Sequence, residues 1–94
     1  MKYKNPVYRK VRGAFRAEVS CASCGQELTI YHKKGRGNLI NMYITRIEEA
    51  NVDLKEKLLL CPSCGEEIGV LMEVKKDKSL AYKMYRSKYR MKTL

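Results

Sequence analysis

Apolar positions in this chain come in short clusters, and two of those clusters are interrupted in the same way. Glu18-Val19-Ser20 alternates into a tight Cys-x-x-Cys-Gly turn, and Leu28-Thr29-Ile30 leaves it. Forty positions later Leu58-Leu59-Leu60 enters a second such turn and Ile68-Gly69-Val70 leaves it. Short runs on either side of a turn predict strand, turn, strand in each copy, so the pattern reads as an internal repeat of two units. Gly25, Glu27 and Leu28 recur in register as Gly65, Glu67 and Ile68.

Between the two turns lie 36 residues, 25–60, too many for a hairpin loop and enough for further strands. Leu39-Ile40-Asn41-Met42-Tyr43-Ile44-Thr45-Arg46-Ile47 is rich in β-branched and aromatic residues and predicts one of them. Residues 33–38 (Lys-Lys-Gly-Arg-Gly-Asn) form a turn on this reading, and residues 48–53 a loop or a single helical turn. Five or six strands are expected in all. Residues 80–92 fail strict alternation, because Tyr82 and Met84 fall on one strand face while Tyr85, Tyr89 and Met91 fall on the other. Stepped at about 100° per residue, the apolar and aromatic side chains share a broad arc opposite Lys83, Arg86 and Arg90, which predicts a C-terminal helix capped by Asp77 or Ser79.

Cys21-Ala22-Ser23-Cys24-Gly25 and Cys61-Pro62-Ser63-Cys64-Gly65 contain every cysteine of the chain. A thiolate pair two residues apart can grip one ion from a tight turn, and the following glycine permits the positive φ that leaves backbone N–H groups free to point at sulfur. Two such pairs complete a four-sulfur shell formed by Cys21, Cys24, Cys61 and Cys64. Disulfides are the competing reading, but secreted frameworks usually bridge distant segments, and the N-terminal residues lack the apolar stretch of a signal peptide.

On these residues the chain resembles the zinc ribbon and rubredoxin-knuckle group of folds, over residues 15–33 and 55–75. The resemblance implies one structural zinc ion held by the four cysteines, in a small, mainly β, zinc-ribbon-like pair of β-hairpins. With the inserted strands, the arrangement is similar to tent-like folds in which zinc clamps two β-units. The resemblance implies no activity, since one scaffold hosts many functions. Iron also suits four thiolates in a tetrahedron. Rubredoxins are usually acidic and line the iron with aromatics, whereas this chain is strongly basic and has no Trp, which favours zinc.

Ninety-four residues predict a single domain, 1–94, with a thin core that a metal staple helps to hold. It divides into a basic N-terminal arm (1–14), a metal-binding β core (15–75) and a basic C-terminal segment (76–94). No stretch approaches the roughly 20 apolar residues of a membrane span, so a cytoplasmic protein is expected.

The net charge of +10 is unevenly distributed. Residues 1–16 hold six basic and no acidic side chains, residues 75–94 eight basic and one acidic, and the middle six basic against nine acidic. Basic ends with Tyr3, Tyr8, Tyr82, Tyr85 and Tyr89 interleaved suit a polyanion, with cations on phosphates and tyrosine faces on bases. Nucleic acid or a ribonucleoprotein is therefore the expected partner. Arg12, Arg16, Lys33, Lys34, Arg36, Lys83, Arg86, Lys88 and Arg90 are the candidate phosphate contacts. The competing reading is that the charges serve solubility and the tyrosines pack on the sheet.

No catalysis and no small-molecule substrate are expected. A shell of four protein thiolates has no open position for water or substrate. Glu18, Glu27, Glu66 and Glu67 flank the turns as surface residues, and His32, the single histidine, belongs to no recognisable catalytic arrangement. The rival functional readings are a protein-interaction adaptor and an iron electron carrier.

Overall fold

The computed structural model describes residues 3–35, 37, 39–76 and 78–94. They form two antiparallel sheets. The first contains β1 (Tyr3–Lys4), β2 (Phe15–Cys21), β3 (Glu27–Lys33), β5 (Ile47–Ala50) and β9 (Tyr89–Thr93), in the order β1-β5-β3-β2-β9. The second contains β4 (Asn41–Tyr43), β6 (Leu58–Leu60), β7 (Glu67–Val74) and β8 (Ser79–Met84), in the order β4-β8-β7-β6. The chain thus passes from the first sheet to the second at β4, back at β5, over again for β6 to β8, and returns for β9.

The expected hairpins are β2–β3 and β6–β7, and their likeness extends to a defect. Each has an irregular register just before its first cysteine, between Val19 and Ser20 in one and between Leu59 and Leu60 in the other. Such irregularities bend the ingoing strand into the turn. The repeat also goes beyond the hairpins. β3 pairs with β5 and then β1, while β7 pairs with β8 and then β4, so each sheet contains the same four-strand order. β9 has no counterpart in the second sheet, where β6 is an edge strand.

The helix expected over residues 80–92 is replaced by β8 and β9, which lie in different sheets. A turn after Met84, in which Ser87 adopts a φ of 73°, resets the phase of the alternation. Ala81, Tyr82 and Met84 are buried from β8, while Tyr89 and Met91 lie against the core from β9 with Arg90 and Lys92 pointing away. Tyr82 and Met84 on β8 and Tyr89 and Met91 on β9 therefore sit one residue out of phase across the turn, while Ala81 is buried beside Tyr82. Ser79 begins β8 rather than capping a helix, and Asp77 lies outside the described residues.

The expected strand over residues 39–47 is divided into β4, a 3₁₀ turn at Ile44–Arg46, and the start of β5. Residues 48–50, read as a loop or helical turn, are extended because β5 pairs with β1 on one side and β3 on the other, and Ile47 and Ala50 are buried. Asn5 fastens this corner, its side-chain amide donating to the carbonyls of Ile44 and Ile47 at 2.7 and 2.8 Å.

The core lies between the sheets and includes Val19, Leu28, Tyr31, Met42, Ile47, Leu59, Ile68 and Tyr82. Tyr82 is fully buried, and its hydroxyl donates to the carbonyls of Glu56 (2.6 Å) and Asp53 (3.3 Å); burial is the main cause that pushes its pKa up to about 12. Gly69, on β7, lies opposite Met84. A Cβ there would stand 2.7 Å from the Lys83 carbonyl oxygen, a backbone atom that moves only if β7 and β8 separate. Gly69→Ala is expected to cost about 1–3 kcal/mol of stability through overpacking. The check is the urea midpoint of the metal-loaded protein, and an unchanged midpoint contradicts the tight β7–β8 approach.

Candidate metal centre

Each Cys-x-x-Cys turn is closed by the same pair of hydrogen bonds. Gly25 N–H donates to the Cys21 carbonyl and Cys21 N–H to the Gln26 carbonyl; Gly65 does so to Cys61, and Cys61 to Glu66, all at 2.9 Å. Gly25 and Gly65 adopt φ of 79° and 77°, a conformation that opens the turn toward its own sulfurs at no steric cost. The backbone N–H groups of Gln26 and Glu66 accordingly donate to the Cys24 and Cys64 sulfurs.

Because β2 and β6 belong to different sheets, the two turns meet across the gap between the sheets. The four Sγ atoms lie within 4.8 Å of one another, with Cys21 to Cys64 at 3.7 Å and Cys24 to Cys61 at 3.4 Å. The closest approaches pair a sulfur from one turn with a sulfur from the other, and none is bonded as a disulfide. Bonds of about 2.3 Å to a central ion give a tetrahedron with edges of about 3.8 Å, so the donor set fits one such ion. Cys21 and Cys61 are buried and Cys24 and Cys64 exposed, which places one edge of the cluster at the surface.

Thiol acidities reflect the crowding. The Gln26 N–H, followed by the Cys61 thiol, brings Cys24 down to about 7. Cys64 receives the Glu66 N–H, which acts in the same direction, yet desolvation and the neighbouring sulfurs outweigh it and push Cys64 up to about 12. Four thiolates so close together require a cation to replace their protons. The turn between β8 and β9 contributes to the surroundings: Ala22 N–H donates to the Lys88 carbonyl at 3.1 Å, and the Lys88 ammonium pairs with Glu66.

His32 lies outside the sulfur cluster, but other side chains do gather round it. Its Nε2 lies 2.6 Å from Glu48 Oε1, Arg16 Nε is 3.3 Å from the same oxygen, and the Tyr8 hydroxyl is 3.2 Å from Nε2. The His32 hydrogen bond is the main cause that holds the Glu48 carboxyl below its usual pKa. This cluster fastens the N-terminal segment onto β3 and β5.

The basic candidates are scattered in role. Lys33 is only 6% exposed, its ammonium donating to the Gly35 carbonyl at 2.8 Å and lying 6.0 Å from the centre of the Phe15 ring. Arg16 and Lys88 form ion pairs. Arg12, Lys34, Lys83, Arg86 and Arg90 are exposed, and Arg36 lies outside the described residues. Of the tyrosines expected to stack on bases, Tyr82 is in the core, Tyr3 donates its hydroxyl to the Val52 carbonyl, Tyr8 packs on His32 and Tyr89 donates to the Leu39 carbonyl. Their first role is structural.

Sequence reasoning passed over Arg46. Its guanidinium lies 4.7 Å from the centre of the Tyr43 ring and lines a cleft with Lys33 and Lys34. The available signal was the three-residue spacing of Tyr43 and Arg46, which a 3₁₀ turn brings onto one side. Set against protein-family models, curated proteins and solved structures, the chain matches none of them.

Proposed function

We propose that this chain is a zinc-stabilised β domain, similar to the zinc ribbons, that binds nucleic acid or a ribonucleoprotein. Support for zinc comes from the donor set. Four thiolates in two glycine-closed turns form a shell with no position left for substrate, which suits an ion that holds a fold. Zinc ties the two sheets together at β2 and β6, and the domain carries out no chemistry of its own. Iron would make the purified protein red and zinc leaves it colourless, so the visible absorption spectrum with elemental analysis separates the two.

The observation that carries the binding role is the coincidence of a net charge of +10 with one cleft lined by Lys33, Lys34 and Arg46 and two adjoining ones that include Arg86, none of them with a carboxylate among the described residues. Phosphates bound there displace counterions, which ties affinity to ionic strength. A metal-loaded sample titrated with labelled single-stranded RNA at a series of salt concentrations should lose affinity linearly on a log–log plot. Affinity indifferent to salt removes the nucleic-acid reading.

A protein-interaction adaptor is the second reading, favoured by one observation. β6 is an edge strand on which Leu58 and Leu60 are 40% and 45% exposed, beside a depression lined by Val52, Asp53 and Glu56. A protein that co-purifies in the absence of nucleic acid, and is lost when Leu58 and Leu60 are replaced by lysine, supports it.

A further inference from the structure

Among the described residues, five of the surface depressions divide by charge. The two beside residues 52–57 include Asp53, one of them also Glu56. The other three include no carboxylate among the described residues and share Leu39. One of these, of about 240 Å³, is lined by Lys33, Lys34 and Arg46 together with Tyr31, Asn41 and Tyr43.

Its walls are fixed. Tyr31 is buried, and its phenol oxygen accepts the Tyr43 N–H at 3.1 Å. Lys33 is held by the Gly35 carbonyl, and Arg46 is laid on the Tyr43 ring. No ion pair occupies Lys34, Arg46 or Arg86 among the described residues. A planar guanidinium held on an aromatic ring beside two ammonium groups suits the oxygens of a phosphate.

The cleft is not isolated. Leu39 and Ile40 also line its neighbour, of about 280 Å³, with Met84, Arg86 and Tyr89. Ile40 is 64% exposed and lines both the cleft with Lys33, Lys34 and Arg46 and the cleft with Arg86. A lone anion uses one cleft and has no use for an apolar side chain beside it. A strand with phosphates on either side of an unstacked base uses all three.

We propose that these two clefts form a track for single-stranded nucleic acid: one phosphate at Lys34 and Arg46, another at Arg86, and a base against Ile40. This rests on the nucleic-acid reading above and gives it a location. The specificity lies in strandedness rather than in sequence, because only bases released from a duplex can reach Ile40.

The test uses the metal-loaded full chain and a labelled oligouridylate of about 12 nucleotides, within the range of single-strand site sizes. Affinity is read by fluorescence anisotropy at several salt concentrations. Arg46→Gln, Arg86→Gln and Lys34→Gln are each expected to weaken binding about tenfold and to make the salt slope shallower by about 0.7. Ile40→Ser is expected to weaken the single strand without changing that slope. Lys57→Gln removes the same charge from the depression with Asp53 and Glu56, and is expected to change affinity less than about twofold.

Binding that stays salt-sensitive but is indifferent to all three cation substitutions overturns the track and leaves the nucleic-acid reading standing. Absence of any salt-sensitive binding removes both. Inorganic phosphate serves as the separate arm: saturation of Arg46 by phosphate, seen in its side-chain NMR signals, with no competition from the oligonucleotide, overturns the track in favour of a small-anion site. Lys34 is exposed, so its variant tests the idea even if a change at Arg46 disturbs the 3₁₀ turn.

Discussion

Removing the metal, or replacing Cys61 by serine, is expected to abolish cooperative unfolding, leaving a chain without a thermal transition. The sulfurs of β2's turn and β6's turn come together where the two sheets meet, so an ion held there would clamp one sheet to the other. Structural zinc contributes about 10–16 kcal/mol in small peptides, and a whole domain is stable by about 5–15 kcal/mol. A loss of that size is comparable with the whole stability of a domain. Binding also displaces protons, so affinity should rise with pH: Cys24, brought down to about 7, ionises well before Cys64, which is pushed up to about 12 and gives up its proton to the ion. Acidification returns protons to sulfur and releases the ion, and the folded form is lost with it. Calorimetry before and after chelation, with elemental analysis expected to find one ion per chain, is the measurement. A metal-free sample that keeps its transition temperature contradicts the bridging role.

Three consecutive leucines allow a second test within a few ångströms. Leu59 is fully buried between the sheets, whereas Leu58 and Leu60 point outward from the same strand. Leu59→Ala should lose about 2–5 kcal/mol, the transfer free energy of the deleted carbons together with the cavity they leave. Leu58→Ala and Leu60→Ala should each cost less, about 1 kcal/mol or below, since each side chain is already 40–45% exposed and leaves no closed cavity. Chemical denaturation of the three metal-loaded variants decides the matter, and equal losses at the three positions contradict the strand register of β6.

The metal turns and their hairpins could be read from sequence because their chemistry is local. Two ligands, a glycine and a short apolar run on each side lie within about a dozen residues, and an internal copy repeats them. Residues 80–92 were misread because the phase change between Met84 and Tyr89 contains neither glycine nor proline; Ser87 takes the left-handed conformation instead. A helical period then fits both halves by accident. The pairing of β9 with β2 is invisible for a different reason, since Ala17 and Thr93 are neighbours only in space. Tyrosine composition misled in its own way. A phenol on a basic segment suits a base, but Tyr82 finds its partners in the carbonyls of Asp53 and Glu56, which no local pattern announces. Arg46 was passed over because it sits in a stretch whose overall charge is acidic, and only the short helical turn brings it beside Lys33 and Lys34.

The order in which the backbone visits its two layers has a consequence for how such a molecule can be divided. Severed between Ala50 and Leu58, midway between the two hairpins, the first piece would contain one stray strand of the second layer, and the other piece one stray strand of the first. Neither fragment is a miniature of the whole. The two copies are woven together, and no single cut of the backbone separates them.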